Sequence, residues 1–127
     1  MIKPESFAGR IESEDIELMI QQAAARHKQE VLSFADLEMN LATFRARRKG
    51  QTLHLTPTEF RILKCLMWDP ERVFSRDELA RAAWPENATV NGRTVDVHVG
   101  RLRKTLTTGF EDDLIRTVRS VGYALSK

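Results

Sequence analysis

Between Gly92 and Lys104 the chain reads GRTVDVHVGRLRK, which gathers Arg93, His98, Arg101, Arg103 and Lys104 into one short stretch. A guanidinium offers a planar fork of donors that matches carboxylates, phosphates and other paired acceptors, and it needs no nucleophile or proton shuttle to act. The rest of the chemistry-bearing residues do not assemble into anything catalytic. His27, His54 and His98 fall on three separate elements, so no metal-ligand spacing arises, and the single cysteine, Cys65, sits on a predicted helix that should bury it. No Gly-rich phosphate loop, GxSxG or HExxH occurs. The acidic run Glu111-Asp112-Asp113 reads as a polar loop. The expectation is a binding protein without cofactor or metal, not an enzyme.

At about 100° per residue, Val95, Val99, Leu102 and Leu106 share one stripe of a helix over 92–107. Val97 and Gly100 then share the wet side with the arginines, an odd use of a solvated face. The elements around this helix follow from local pattern. VLSF, DLEMNL, TFRARR and TLHL read as short strands of an antiparallel sheet, with Leu37, Met39 and Leu41 alternating inward and a KGQ turn at Gly50. In LTPTEFRILKCLMWDP, Thr56 caps a helix, Pro57 suits its first position and Glu59 closes a capping box; Phe60, Leu63, Leu66 and Met67 form the buried stripe and Pro70 stops it. VFSRDELARAAW repeats that grammar, with Ser75 and Glu78 as the box, Leu79, Ala82 and Ala83 inward, and Pro85 as terminator. PENATVNG is a loop from which Asn91 or Gly92 starts the basic helix, and LIRTVRSVGYAL forms a hairpin around RSVG. The predicted fold class is α+β: an N-terminal antiparallel sheet, a three-helix core of helix-turn-helix type, and a C-terminal β-hairpin wing.

Composition sets the bounds. A chain of 127 residues with 42% hydrophobic content supports one domain and a short appendage. One cysteine cannot form an internal disulfide, no signal or transit pattern opens the chain, and no apolar run approaches a membrane span, so a cytoplasmic protein without membrane contact is expected. The net charge of +2 hides an asymmetry. Residues 1–40 carry four Lys/Arg against eight Asp/Glu, which leaves sixteen against ten in 41–127. The basic part is the part with the unusual helix, and it favours a polyanionic partner.

Double-stranded DNA fits that face. Arg101, near its centre, can fork onto the O6 and N7 acceptors of a guanine, and Val97, one turn earlier, can meet a thymine methyl. Gly100 removes a side chain where the helix backbone would approach the duplex, at about 1 kcal/mol of helix propensity relative to Ala. Arg93, Thr94, His98, Arg103 and Lys104 lie at the start or on the flanks, where phosphates would run. The wing, 114–125, adds Thr117, Arg119 and Tyr123, with Arg119 at the tip suited to a minor groove. Two plainer readings stand beside this one. An Arg-rich helix is often only a solvated face, and Tyr123 reads equally well as a core ring with its hydroxyl at the surface. The rival function is a winged-helix interaction module that docks an acidic protein without DNA.

The blocks TPTEFRILKCLM, ERVFSRDELARAAW, GRTVDVHVGRLRKTL and DDLIRTVRSVGY resemble the effector domain of OmpR/PhoB-type response regulators, winged-helix transcription factors of bacterial two-component systems. The resemblance runs from about Phe34 to the end, and VDVHVGRLRK with IRTVR is most similar to the phosphate-regulon subgroup. It implies a recognition helix over 92–107 in which Arg101 reads a base, Val97 makes an apolar base contact, and Arg93, Thr94, His98 and Arg103 bind phosphate. Arg76 and Trp84 match family positions that touch the backbone, Thr117 and Tyr123 would bind phosphate, and Arg119 the minor groove. Many members carry an arginine where this chain has Gly100, so one direct contact is missing from the pattern. The loop Glu86, Asn87, Ala88, Thr89, Val90 and Asn91 corresponds to the segment that meets RNA polymerase, with Pro85 where a glycine often follows the tryptophan. Tandem homodimers on direct repeats are common in the family. A phosphorylatable receiver domain normally precedes the effector, and the opening residues are too few to form one. The expected division is residues 31–127 as the winged-helix domain and 1–30 as a linker, a receiver remnant or an appended, dimerising helix over 14–28 with Ile16, Met19, Ile20, Ala23 and Ala24 as its apolar stripe.

Overall fold

The computed structural model describes residues 16–20 and 30–127. The chain divides between Val31 and Leu32. In the first part, residues 16–20 are helical with Ile16, Leu18, Met19 and Ile20 exposed, and the remainder of the helix expected over 14–28 lies outside the described residues.

Four strands follow, β1 (Val31–Phe34), whose first residue stands at the division, β2 (Leu37–Asn40), β3 (Arg45–Arg48) and β4 (Gln51–Leu53), hydrogen-bonded in that order. Side chains of period two sort the sheet into a dry and a wet face. Leu37, Met39, Ala46 and Leu53 are buried, whereas Glu38, Arg45, Arg47 and Thr52 are exposed. The β3–β4 connection is tight because Lys49 and Gly50 both take positive φ, 51° and 78°, the two-residue geometry that matches the twist of paired strands.

Helix α1 (Pro57–Trp68) starts where the capping box predicts, with the Glu59 N–H donating to Thr56 Oγ1 and the Thr56 N–H donating to the Glu59 carboxylate. It stops at Trp68 because Asp69, preceding Pro70, is driven out of helical conformation. Phe60, Leu63, Leu66 and Met67 are buried as expected, joined by Ile62. Between α1 and the next helix lies a strand the sequence did not announce, β5 (Phe74–Ser75). It is only two residues long and therefore carries no periodic signal. Ser75 then also caps α2 (Arg76–Ala83), with a second complete box to Glu78. Leu79 and Ala83 are buried; Ala82, expected inward, is exposed, since in this short helix it lies off the stripe that faces α1.

Asn91 caps α3 (Gly92–Thr107), its side chain accepting from the Thr94 N–H. Val95, Val99, Leu102 and Leu106 are at most 1% exposed, so this stripe is the keel of the three-helix core. The hairpin follows as β6 (Ile115–Val118) and β7 (Gly122–Leu125), and β7 lies between β5 and β6. In the register Ser75 faces Gly122, and a Cβ on Gly122 would lie 1.9 Å from the Phe74 carbonyl oxygen. Only a glycine lets the two backbones approach this closely.

The C-terminal end of α3 is fastened by an unexpected group. Arg48, on the dry face of the sheet, is 1% exposed. Its Nε donates to Asp36 at 2.9 Å, and one terminal nitrogen donates to the carbonyls of Leu106 at 2.7 Å and Asp112 at 2.8 Å, with the guanidinium 4.8 Å from the centre of the Phe110 ring. Nε and one terminal nitrogen thus meet the acceptors that a buried cation requires.

Candidate nucleic-acid interface

Opposite the keel, α3 presents Arg93, Val97, Gly100, Arg101 and Lys104, all exposed, with Val97 at 45%. A Cβ placed on Gly100 would meet no atom within 4 Å. Nothing inside the protein therefore demands a glycine there, and the space it opens faces outward. Thr94, His98 and Arg103 are half-buried on the flanks.

Several predicted contact residues are held by partners within the protein. Arg76, the first residue of α2, grips Asp96 of α3 through two bonds, Nε to Oδ1 at 3.0 Å and a terminal nitrogen to Oδ2 at 2.6 Å. From β7 the Tyr123 hydroxyl donates to the same Asp96 Oδ1 at 2.7 Å. Burial, then the bond to Asp96, raises the Tyr123 pKa above the ordinary phenol value. Gly92 has its own reason: a Cβ there would lie 2.9 Å from the Arg76 side chain, so the missing group is where Arg76 crosses the start of α3.

Arg103 turns toward the hairpin. A terminal nitrogen donates to the Ile115 carbonyl at 2.9 Å and to Thr117 Oγ1 at 2.7 Å, and Nε lies 3.2 Å from the Asp113 carboxylate. It ties α3 to the wing, which the linear sequence does not reveal. His98 Nδ1 lies 2.9 Å from the Thr94 carbonyl; a carbonyl can only accept, so Nδ1 carries the proton and Nε2 is left as an acceptor when the ring is neutral. The ring packs edge-on against Trp84, centroids 5.1 Å apart. Trp84, half-buried at the end of α2, thus supports the flank of α3.

At the hairpin tip Val121 N–H bonds back to the Val118 carbonyl, and Ser120 takes a positive φ of 65°. Arg119 beside it is exposed, as are Thr117 and Arg116. A cleft of about 280 Å³ lies under this tip, lined by Arg76, Thr117, Arg119, Gly122 and Tyr123 among others. Arg101 and Lys104 on the helix and Arg116 and Arg119 on the wing are exposed cations, and the Asp96 cluster joins helix, wing and α2. The loop after α2 is exposed from Pro85 to Thr89, Val90 is half-buried, and Asn91 is occupied in capping. Among the described residues no group of three or more His, Cys, Asp or Glu could hold a metal ion, and no helix is long and apolar enough to cross a membrane.

Two functional candidates escaped the sequence reading. Asp96 is the single acid of α3, and an acid set in a basic run was the available signal. Arg116 follows the alternation of the hairpin outward, a signal that was present but unused.

The family model described as "Transcriptional regulatory protein, C terminal" matches residues 50–125. The chain belongs to this family. It is an effector domain of OmpR/PhoB type: the phosphate regulon transcriptional regulatory protein PhoB of Rhizobium meliloti is 44% identical over 110 residues, which are 87% of this chain and 48% of that protein. The DNA-binding response regulator MtrA of Mycobacterium tuberculosis is 39% identical over 95 residues, 74% of this chain and 42% of the relative. The chain spans about half the length of the curated relatives it matches. Among solved structures, the DNA-binding domain of response regulator AdeR, determined in complex with an intercistronic region, superimposes with a TM-score of 0.68 at 33% identity, covering 75% of this chain and 98% of that one. The DNA-binding domain of CpxR from Escherichia coli gives 0.66 at 30% identity, covering 76% and 96%. The effector domain is therefore a winged helix-turn-helix of α+β class.

Proposed function

We propose that this effector domain regulates transcription by binding double-stranded DNA in a sequence-dependent manner, with α3 in the major groove and the β6–β7 hairpin on the minor groove and backbone. The observation that carries the reading is the outward face of α3, where Arg101, Val97 and an unobstructed Gly100 lie together above a fully buried keel. In this reading Arg101 reads a guanine, Val97 meets a base methyl, Arg93, Thr94, His98 and Lys104 bind phosphates, and Arg119 enters the minor groove. Arg76, Trp84, Arg103, Thr117 and Tyr123 serve first as the frame that holds helix, hairpin and α2 at fixed angles, and meet the backbone from there. The domain performs no catalysis. Its loop Glu86 to Asn91 is the surface offered to RNA polymerase, and two copies bind direct repeats in tandem; the protein works in the cytoplasm.

Selection of bound fragments from random duplexes tests this. A domain that neutralises about five phosphates loses affinity with a log-log salt slope of about −4 to −5. Arg101→Ala relaxes preference at one position at a cost of about 1–3 kcal/mol, whereas Lys104→Ala weakens selected and random duplexes alike. A flat salt response with no enriched sequence points instead to an acidic protein partner. Glu86→Lys that binds DNA normally but fails to activate transcription identifies the polymerase surface; unchanged activation removes that role.

A further inference from the structure

The Asp96 cluster asks why a surface built for a polyanion keeps a carboxylate within it. Both oxygens are engaged, Oδ1 by Arg76 Nε and the Tyr123 hydroxyl, Oδ2 by the second arm of the Arg76 fork. The site is not deeply buried: the side chains of Arg76 and Asp96 are 55% and 32% exposed. Solvent-exposed pairs add little to folding, so stability alone is a weak reason for the arrangement. Its geometric effect is larger. One carboxylate joins the first turn of α2, the middle of the wing sheet and the DNA-facing half of α3, while Gly92 clears the path that Arg76 follows to reach it. Its electrostatic effect is also definite, because a guanidinium clamped on a carboxylate has its charge offset and only one terminal nitrogen left to meet a phosphate.

We propose that Asp96 is a specificity-determining positioning residue: it fixes Arg76 and Tyr123 before the duplex arrives and withholds the Arg76 charge from arbitrary DNA. The inference rests on the DNA-binding reading above. Duplex of any sequence binds mainly through charge and would gain from a released cation. A matched site needs the helix and wing at set angles, and would lose when the tie between them is cut.

The test uses the full chain, a duplex selected by the unaltered protein and a scrambled duplex of equal length, titrated at several KCl concentrations. Asp96→Asn keeps the shape and removes the charge. It should tighten scrambled-duplex binding about two- to fivefold, the size of one exposed ion pair, and steepen the salt slope by about 0.9. Selected-duplex binding should not tighten, so discrimination narrows. The gain on scrambled DNA should vanish in the Asp96→Asn, Arg76→Gln double variant, which a purely structural role would not require. Tyr123→Phe leaves the ion pair intact and should weaken the selected duplex more than the scrambled one, with the slope unchanged; it carries the positioning half should Asp96→Asn fold poorly. Unchanged scrambled affinity and slope in Asp96→Asn, or equal losses on both duplexes, overturn the proposal. An unaltered protein that enriches no sequence and ignores salt overturns the DNA reading itself, a separate outcome.

Discussion

The two ends of α3 are fastened by the same chemistry in opposite surroundings. At the C-terminal end a guanidinium, Arg48, reaches from the sheet into a buried site and donates to main-chain carbonyls. At the N-terminal half another, Arg76, holds a carboxylate beside solvent with a phenol as third member. A buried cation that loses its place strands the groups around it, whereas an exposed pair exchanges its partner for water at little cost. On the reading proposed above, the first fastening serves folding and the second recognition. Salt should separate them, since screening reaches exposed charges and barely touches enclosed ones.

The largest effect should come from the enclosed end. Arg48→Ala leaves the Leu106 and Asp112 carbonyls and Asp36 without their donor, and should lower unfolding free energy by about 3–5 kcal/mol, read from the urea midpoint at constant slope. A loss below about 1 kcal/mol would erase the contrast between the two ends. Gly122→Ala comes next. The added methyl is driven into the Phe74 carbonyl, which separates β5 from β7 and displaces the strand that presents Tyr123, for a loss of about 1–3 kcal/mol. That variant should also narrow discrimination between selected and scrambled duplexes, because the exposed tie depends on β7.

Gly100→Ala sharpens the comparison from the middle of the helix. No neighbour obstructs the methyl, so thermal stability should rise by about 1 kcal/mol. Affinity for the selected duplex should fall, if close backbone approach is what the glycine serves. Unchanged affinity would remove Gly100 from the contact surface. The smallest effect concerns the start of α2. The Ser75 backbone N–H, helped by Arg72, holds the Glu78 carboxyl below its ordinary pKa. Its contribution is therefore present above the ordinary carboxylate range and is lost as pH falls through the lowered value. Glu78→Gln should therefore lower stability slightly in the neutral region, change it least at acid pH, and so flatten the acid limb of a stability-versus-pH profile.

Local grammar made most of the architecture readable. Thr56 with Glu59 and Ser75 with Glu78 mark two helix starts to the residue, and the 3.6-residue spacing of Val95, Val99, Leu102 and Leu106 orients α3 correctly. What escaped depends on partners distant in sequence. TFRARR reads only as a short strand, and although alternation places Arg48 on the face of Ala46, its burial depends on carbonyls some sixty residues away. Arg103 reads as a flank residue because its partners, Ile115 and Thr117, are supplied by the hairpin. Strand β5 exists only because β7 lies beside it. In the site, the residues that face solvent were legible, and those that bind one another were not.

Ser75 ends β5 and caps α2 at once, so no flexible joint separates the wing from the middle helix. A push on the hairpin tip is passed through β7 and β5 into the first turn of α2 as through a rigid crank. Duplexes that resist bending at the minor groove would press back along the same path, and stiffness of the nucleic acid would then join base identity among the properties this domain can sense.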